Sequence, residues 1–213
     1  MPTIEMTAKT QEEAIEIALK ELGVERAEVE IDIVSRGKSG ILGIGGEPAR
    51  VRVTVLETPT DALKVTTEIL ESLISKMGVS AVVNLKHAHD DEVGGPVFDV
   101  DGDDSGLLIG RRGETLRALQ FLVTSLASRR IGDRVNMFLD VSGYQARRYE
   151  SLTNMAERVA ERVASSGHPI TLEPMPPNER RVVHMALADY SGVTTISTGY
   201  GDARQIVVEP SEQ

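Results

Sequence analysis

Ser105-Gly-Leu-Leu-Ile-Gly-Arg-Arg-Gly-Glu114 is the stretch on which the reading of this chain turns. Gly110 and Gly113 bracket two arginines, a G-x-x-G spacing that by itself is common. Its surroundings give it weight. The apolar triplet Leu107-Leu108-Ile109 precedes it, and Leu116, Leu119, Val123 and Leu126 follow at helical spacing. Glycine at both ends lets the backbone turn tightly and approach a ligand with no Cβ in the way. Arg111 and Arg112 fall at the tip, Arg117 lies one turn into the helix, and the helix start offers unpaired N–H groups. Such a loop is suited to gripping a sugar–phosphate backbone; the bland alternative is a plain helix–turn–helix corner.

Charge points the same way once it is read by position. The 213 residues carry 23 basic and 33 acidic side chains, a formal charge of −10, which alone argues against a polyanionic partner. The distribution is uneven. Residues 105–148 hold 8 basic and 3 acidic groups, net +5, whereas 1–56, 57–104 and 149–213 carry −3, −8 and −4. The basic set is Arg111, Arg112, Arg117, Arg129, Arg130, Arg134, Arg147 and Arg148, all of the type whose planar fork matches phosphate oxygens. The acidic remainder is expected to repel a polyanion and confine binding to this segment.

Composition closes other routes. There is no cysteine, which removes disulfides, thiol catalysis and cysteine-ligated zinc and fits a reducing compartment. Four Tyr, three Phe and no Trp leave no strand with two rings on one face, so a sheet that stacks bases is not expected. No apolar run approaches the ~18 residues that span a bilayer. The N-terminus lacks a basic segment followed by an apolar one, and the expected location is the cytoplasm.

Working outward, residues 1–56 read as a βαββ unit. Thr10 and Glu13 form a capping box, Ala14, Ile15, Ala18, Leu19 and Leu22 an apolar helix face, and Gly23 a stop. Val29, Ile31 and Ile33, then Val51, Val53 and Val55, alternate as half-buried strands around a glycine-rich loop, 37–46. Residues 57–61 read as a short linker ending in an N-cap at Asp61, followed by a helix over 62–77 and strands at 79–85 and 97–100. After the G-x-x-G helix come a strand at 134–141 and a long helix at 145–165 carrying Tyr149, Leu152, Ala156, Val159 and Val163. A strand at 170–173, a helix opened by Pro176-Pro177 and strands near 193–197 and 205–208 complete the chain. The expected class is α+β in three modules, 1–56, 62–144 and 145–213.

Four weaker motifs fail their tests. Gly37-Lys38-Ser39 resembles the end of a P-loop, but Asp32 stands where its first glycine belongs. Gly43-Ile-Gly45 lacks the third glycine of a dinucleotide fingerprint, because Pro48 occupies that position. His87-Ala-His89 with Asp90-Asp91 has no third metal ligand in view, and Asp99, Asp101, Asp103 and Asp104 lack the spacing of a calcium loop. No metal and no cofactor are expected.

Arg180-Arg181-Val182-Val183-His184 supplies one more signal. Arg180 and His184 are one turn apart, so they share a helix face, read here as exposed, and together suit a phosphate; Arg181 adds charge, while Val183, Ala186 and Leu187 face the core. The longer string Met175-Pro-Pro-Asn-Glu-Arg-Arg-Val-Val-His-Met-Ala-Leu resembles the R-x-x-x-H domain of single-stranded nucleic-acid-binding proteins. The G-x-x-G region, in its order of elements, resembles a type II-like KH domain, whose loop clamps about four nucleotides. Lys38-Ser-Gly-Ile-Leu-Gly-Ile-Gly45 resembles the signature of a Jag N-terminal domain.

In that order the three modules resemble the bacterial Jag/KhpB family, over nearly the whole chain. The resemblance implies a cytoplasmic RNA-binding protein, an RNA chaperone or post-transcriptional regulator tied to cell elongation, cell shape and envelope control. It also implies a small KH-only partner. Single-stranded DNA as a ligand and a homodimer are left open. Two features depart from the family: the linker after residue 56 is short, where many relatives carry a long charged one, and the acidity is high for an RNA binder. The expected RNA contacts are Gly110, Arg111, Arg112, Gly113, Arg117, Arg180, Arg181 and His184, on a surface shared by the two modules with the long helix as a stiff spacer. The rival reading is an adaptor whose N-terminal module docks a membrane or cell-division protein. An enzyme is not expected, because no nucleophile–base pair or phosphate loop passes its test.

Overall fold

The computed structural model describes residues 2–37, 47–56 and 60–211. They form three small three-stranded sheets in two compact units, 1–143 and 144–213. The expected α+β organisation in three modules is present, with the first two modules in one unit. No helix among the described residues is long and apolar enough to cross a membrane.

In the N-terminal module, β1 (Thr3–Ala8) and β2 (Val29–Ser35) flank β3 (Ala49–Val55), both antiparallel to it. Helix α1 (Gln11–Leu22) begins where Thr10 Oγ1 accepts from the Glu13 amide at 3.2 Å. Glu13 reaches back one residue further than expected, accepting from the Lys9 amide at 3.1 Å. Gly23, in the left-handed region at φ +68°, ends the helix, as glycine does at such caps. Ala14, Ile15 and Ala18 bury against Val29, Ile31, Val51 and Val53, the alternating positions of β2 and β3. The expected signature at 38–45 lies outside the described residues.

The second module opens with α2 (Asp61–Lys76), whose N-cap is Thr60 and not Asp61: Thr60 Oγ1 accepts from the Leu63 amide at 3.2 Å. β4 (Val82–Asp90) and β5 (Gly95–Asp101) form an antiparallel hairpin longer than the sequence suggests, with His87 and His89 exposed on β4. Helix α3 (Ser105–Ile109), a 3₁₀ turn (Arg111–Gly113) and α4 (Glu114–Ile131) then cross back to β6 (Phe138–Val141), parallel to β5. A parallel pair needs such a crossover, and the G-x-x-G loop lies inside it. Residues 134–137 are not strand. The buried alternation of Val135 and Met137 mimics one, but the Val135 amide donates to Ser128 Oγ at 2.9 Å instead of to a neighbouring strand. On α4, Ala127 and not Leu126 follows Val123 into the core, one full helical turn on.

These two modules are joined by more than the linker. Arg26 Nε donates to the Val83 carbonyl at 3.1 Å and its guanidinium also holds Asn84 and Glu12. The Ala88 amide donates to Glu30 Oε1 at 2.6 Å. Arg36 spans to Asp99 and Asp101 at 3.2 and 3.0 Å, which accounts for half of the acidic cluster as an internal contact. Asp104 accepts from the Ser80 amide at 3.0 Å.

In the second unit, α5 (Tyr144–Ser166) is not a free spacer. Its Leu152, Ala156, Ala160 and Val163 are core, packed with Val183 and Leu187 of α6 (Pro177–Ala186) and the residue after it. The sheet runs β7 (Ile170–Thr171), β9 (Gln205–Pro210), β8 (Val193–Thr198), all antiparallel, and contributes Val193, Ile206 and Val208. β7 is two residues, half the expected length, and just beyond it the Leu172 amide donates to the Ile206 carbonyl of β9 at 2.8 Å while its side chain joins the core. A bidentate pair ties α5 to α6: Arg148 Nη2 and Nε donate to Glu179 at 2.8 and 3.2 Å, and Glu179 is only 4% exposed.

Candidate nucleic-acid interface

The G-x-x-G loop carries three positive-φ residues within four positions. Gly110 sits at φ +67°, ψ −170°, Arg112 at φ +52°, ψ 34°, and Gly113 at φ +75°, ψ 17°. The Gly110 conformation is reached essentially by glycine alone. A Cβ there would also overlap Thr115 Oγ1. An arginine in the left-handed region is uncommon, and its strain is held by the fold around it. Arg111 is exposed and, among the described residues, has no ion pair. Arg112 is half-buried, so the tip carries one fully exposed arginine where the sequence suggests two.

Arg117 does something the sequence does not reveal. Its Nη1 donates to the Arg112 carbonyl at 2.8 Å, closing the loop from the first turns of α4. It holds the strained carbonyl and places a positive charge beside the loop. The N-terminus of α4 has no side-chain cap, unlike those of α1 and α2 with Thr10 and Thr60, so its leading N–H groups point toward the loop side unclaimed by a side chain. Leu107, 64% exposed, adds apolar surface just before the loop, while Leu108 is buried beneath it.

The +5 segment is not one patch. Arg129 and Arg130 are in the last turn of α4, roughly 25 Å along the axis from the loop at 1.5 Å per residue. Arg130 is neutralised by Glu68 at 2.8 Å. Arg147 and Arg148 belong to the second unit, where Arg148 is spent on Glu179. The arginines at the loop itself are Arg111, Arg112 and Arg117.

In the second unit, Arg180 and His184 do share a face of α6, but it turns toward β8 and is half-buried, not open. Arg180 Nη1 donates to Ser197 Oγ at 2.7 Å and Nε to the Met175 carbonyl at 3.3 Å. His184 Nδ1 shares a hydrogen bond with Thr195 Oγ1 at 2.6 Å. Burial, and next the Arg180 charge, hold this imidazole below its ordinary pKa, so it is neutral near pH 7. Arg181 lies on a different face, exposed, lining a shallow groove with Tyr149, Asn178 and Met185. Sequence reasoning missed Arg204, whose Nε also donates to Ser197 Oγ, at 3.0 Å.

Three family models match the chain: "Jag N-terminus" over residues 6–55, "KhpA/KhpB, KH domain" over 64–138 and the R-x-x-x-H domain over 150–210. A curated relative from Clostridium symbiosum, "RNA-binding protein KhpB", is 35% identical over 208 residues, covering 98% of this chain and 91% of its own length. The chain belongs to the KhpB family. Another KhpB, from Bacillus subtilis (strain 168), is 31% identical with 98% of each chain aligned. The KhpB of Lactiplantibacillus plantarum aligns over 147 residues at 33% identity, 44% of that longer protein. Within this KhpB-family chain the eight expected contacts fall into two groups, five on the KH loop and the helix it opens, and three on α6 of the R-x-x-x-H domain. Among the described residues no group of His, Cys, Asp or Glu side chains is arranged to hold a metal ion.

Proposed function

We propose that this protein binds single-stranded RNA through the KH loop, with Gly110, Arg111, Arg112, Gly113 and Arg117, and through Arg180, Arg181 and His184 of the R-x-x-x-H domain. The observation that carries the reading is the G-x-x-G loop itself: a backbone conformation open only to glycine at 110, a left-handed Arg112, and an arginine closing the loop from behind. A strained loop at a helix start with no side-chain cap, and with three guanidinium groups around it, suits a sugar–phosphate backbone. The relatives' printed name, RNA-binding protein, agrees with it. The cellular role we assign is that of a cytoplasmic RNA chaperone or post-transcriptional regulator. The test is an electrophoretic shift with labelled single-stranded RNA. The double variant Arg111→Asp, Arg112→Asp is expected to weaken binding across sequences and flatten its salt dependence. An unchanged shift would overturn the loop assignment.

We further infer that the small KH-only partner docks on the outer face of α4. Phe121 is 71% exposed there, and Leu122 at 47% and Leu126 at 42%, one turn apart, lie on the adjoining side of the helix, exposed apolar surface of a kind that marks interaction sites. Phe121→Glu is expected to abolish co-purification of a KH-only protein while RNA binding persists. Undiminished co-purification would sink the assignment.

A further inference from the structure

Ser197 Oγ accepts hydrogen bonds from two guanidinium groups at once, Arg180 Nη1 at 2.7 Å and Arg204 Nε at 3.0 Å. Neither arginine has a carboxylate partner among the described residues. Two positive charges within hydrogen-bond reach of one neutral oxygen repel each other, and the hydroxyl offsets little of that repulsion. Each guanidinium has five N–H donors, of which Arg180 commits two to protein acceptors and Arg204 one. The remaining donors, fixed in a fork, match an oxyanion. Thr195, which holds His184, is two residues before Ser197, so both hydroxyls lie on one face of β8 and align the imidazole and the two guanidiniums in a row.

The same hairpin carries an exposed ring. Tyr200, at the tip between β8 and β9, is 93% exposed, although tyrosine ordinarily hides much of its apolar body. The tip is tightly made. The Ala203 amide donates to the Tyr200 carbonyl at 3.1 Å and the Arg204 amide to the Gly201 carbonyl at 3.2 Å. Gly199 adopts φ +88°, and a Cβ there would come within 2.8 Å of the Ala203 carbonyl oxygen. A loop so constrained fixes where Tyr200 and Arg204 leave the backbone, four residues apart on one short turn.

We propose that the β8–β9 hairpin completes the R-x-x-x-H site: Arg204 joins Arg180 on one backbone phosphate, and Tyr200 stacks the base of a neighbouring nucleotide. This rests on the reading of α6 as an RNA contact. The ligand class it selects is an unpaired nucleotide, because a base inside a duplex is already stacked on both faces. Stacking on one ring tolerates any base, so the hairpin adds affinity and strand selectivity without reading sequence.

The experiment uses the full chain and a 5′-labelled oligouridine 12-mer, with affinity followed by fluorescence anisotropy across a potassium chloride series. Arg204→Ala is expected to lower affinity and to reduce the slope of log K against log salt by about 0.7, the loss of one single-strand phosphate contact. Tyr200→Ala is expected to weaken binding by about fivefold or more at an unchanged slope, and Tyr200→Phe to retain it. Binding of the duplex form is expected not to change with Tyr200→Ala. Circular dichroism of each variant monitors folding. If Arg180→Ala weakens binding while Arg204→Ala and Tyr200→Ala match the wild type, the hairpin assignment is overturned and the α6 reading stands. If Arg180→Ala also binds as the wild type does, the α6 reading falls and takes the hairpin with it.

Discussion

Arg36 Nη2 lies 3.2 Å from Asp99 Oδ2, joining the end of β2 in the N-terminal module to the central strand of the KH sheet. Burial, and next the neighbouring Asp101, push the Asp99 carboxyl up to about 6, against the pull of Arg36. The folded state therefore holds a proton that the unfolded chain has released, over the window from about 3.8 to about 6. Stability from this group is greatest below that window and is lost as pH rises through it. Asp99→Asn is expected to remove that dependence and to stabilise the first unit near pH 7.5 by about 1–2 kcal/mol, since Arg36 keeps Asp101. Thermal melts of both proteins between pH 4.5 and 7.5 check it; parallel curves would refute it.

Gly110→Ala tests the loop geometry separately from its charge. The substitution leaves every arginine in place but forces a Cβ into Thr115 at a backbone conformation that disfavours one. The expected cost is about 1–3 kcal/mol, seen as a lower melting temperature, with RNA affinity reduced at all salt concentrations and the salt slope retained. If affinity is unchanged, close backbone approach at 110 is not part of binding.

Much of this architecture is written locally. Thr10 announces a helix start, Gly23 a stop, and Val29, Ile31, Val51 and Val53 a half-buried sheet, because each effect acts within a few residues of its cause, while the start of α2 reads one residue late, at Asp61 in place of Thr60. Arg112 on the G-x-x-G loop is legible as a candidate for the same reason. Long-range pairings are not. Nothing near Arg36 says that its partner is Asp101, 65 residues on. Nothing near Arg204 points to Ser197; only the β8–β9 register, which sets Ser197 opposite Ile206, two residues beyond Arg204, brings them together. Leu126 misleads for a subtler reason: both 126 and 127 fit a helical stripe from Val123, and only the packing against the sheet shows that Ala127 faces in.

Glu179 and Arg148 form the buried charge pair of the second unit, and removing one partner strands the other. Arg148→Met is expected to destabilise that unit by about 3–5 kcal/mol, because an uncompensated carboxylate would remain in a site 4% exposed. The double variant Arg148→Met, Glu179→Leu is expected to recover most of the loss. Urea unfolding followed by circular dichroism separates the outcomes, and equal destabilisation by the single and double variants would show that the pair acts through packing instead.

His184 supplies the last expectation, which concerns ligand and proton together. Its pKa is held below the ordinary value by burial and then by Arg180, so protonating it in the free protein opposes folding: the unfolded chain takes up the proton first, and stability falls as pH drops below about 6.5. A phosphate between Arg180 and His184 reverses the balance, since its negative charge offsets Arg180 and favours the imidazolium. RNA binding should then be accompanied by proton uptake, and affinity should rise severalfold between pH 7.5 and pH 6. His184→Gln keeps a hydrogen-bonding group toward Thr195 but cannot be protonated, so its affinity should be nearly flat over that interval. Anisotropy titrations at fixed ionic strength measure both, and a wild-type profile as flat as that of the variant would place the phosphate elsewhere.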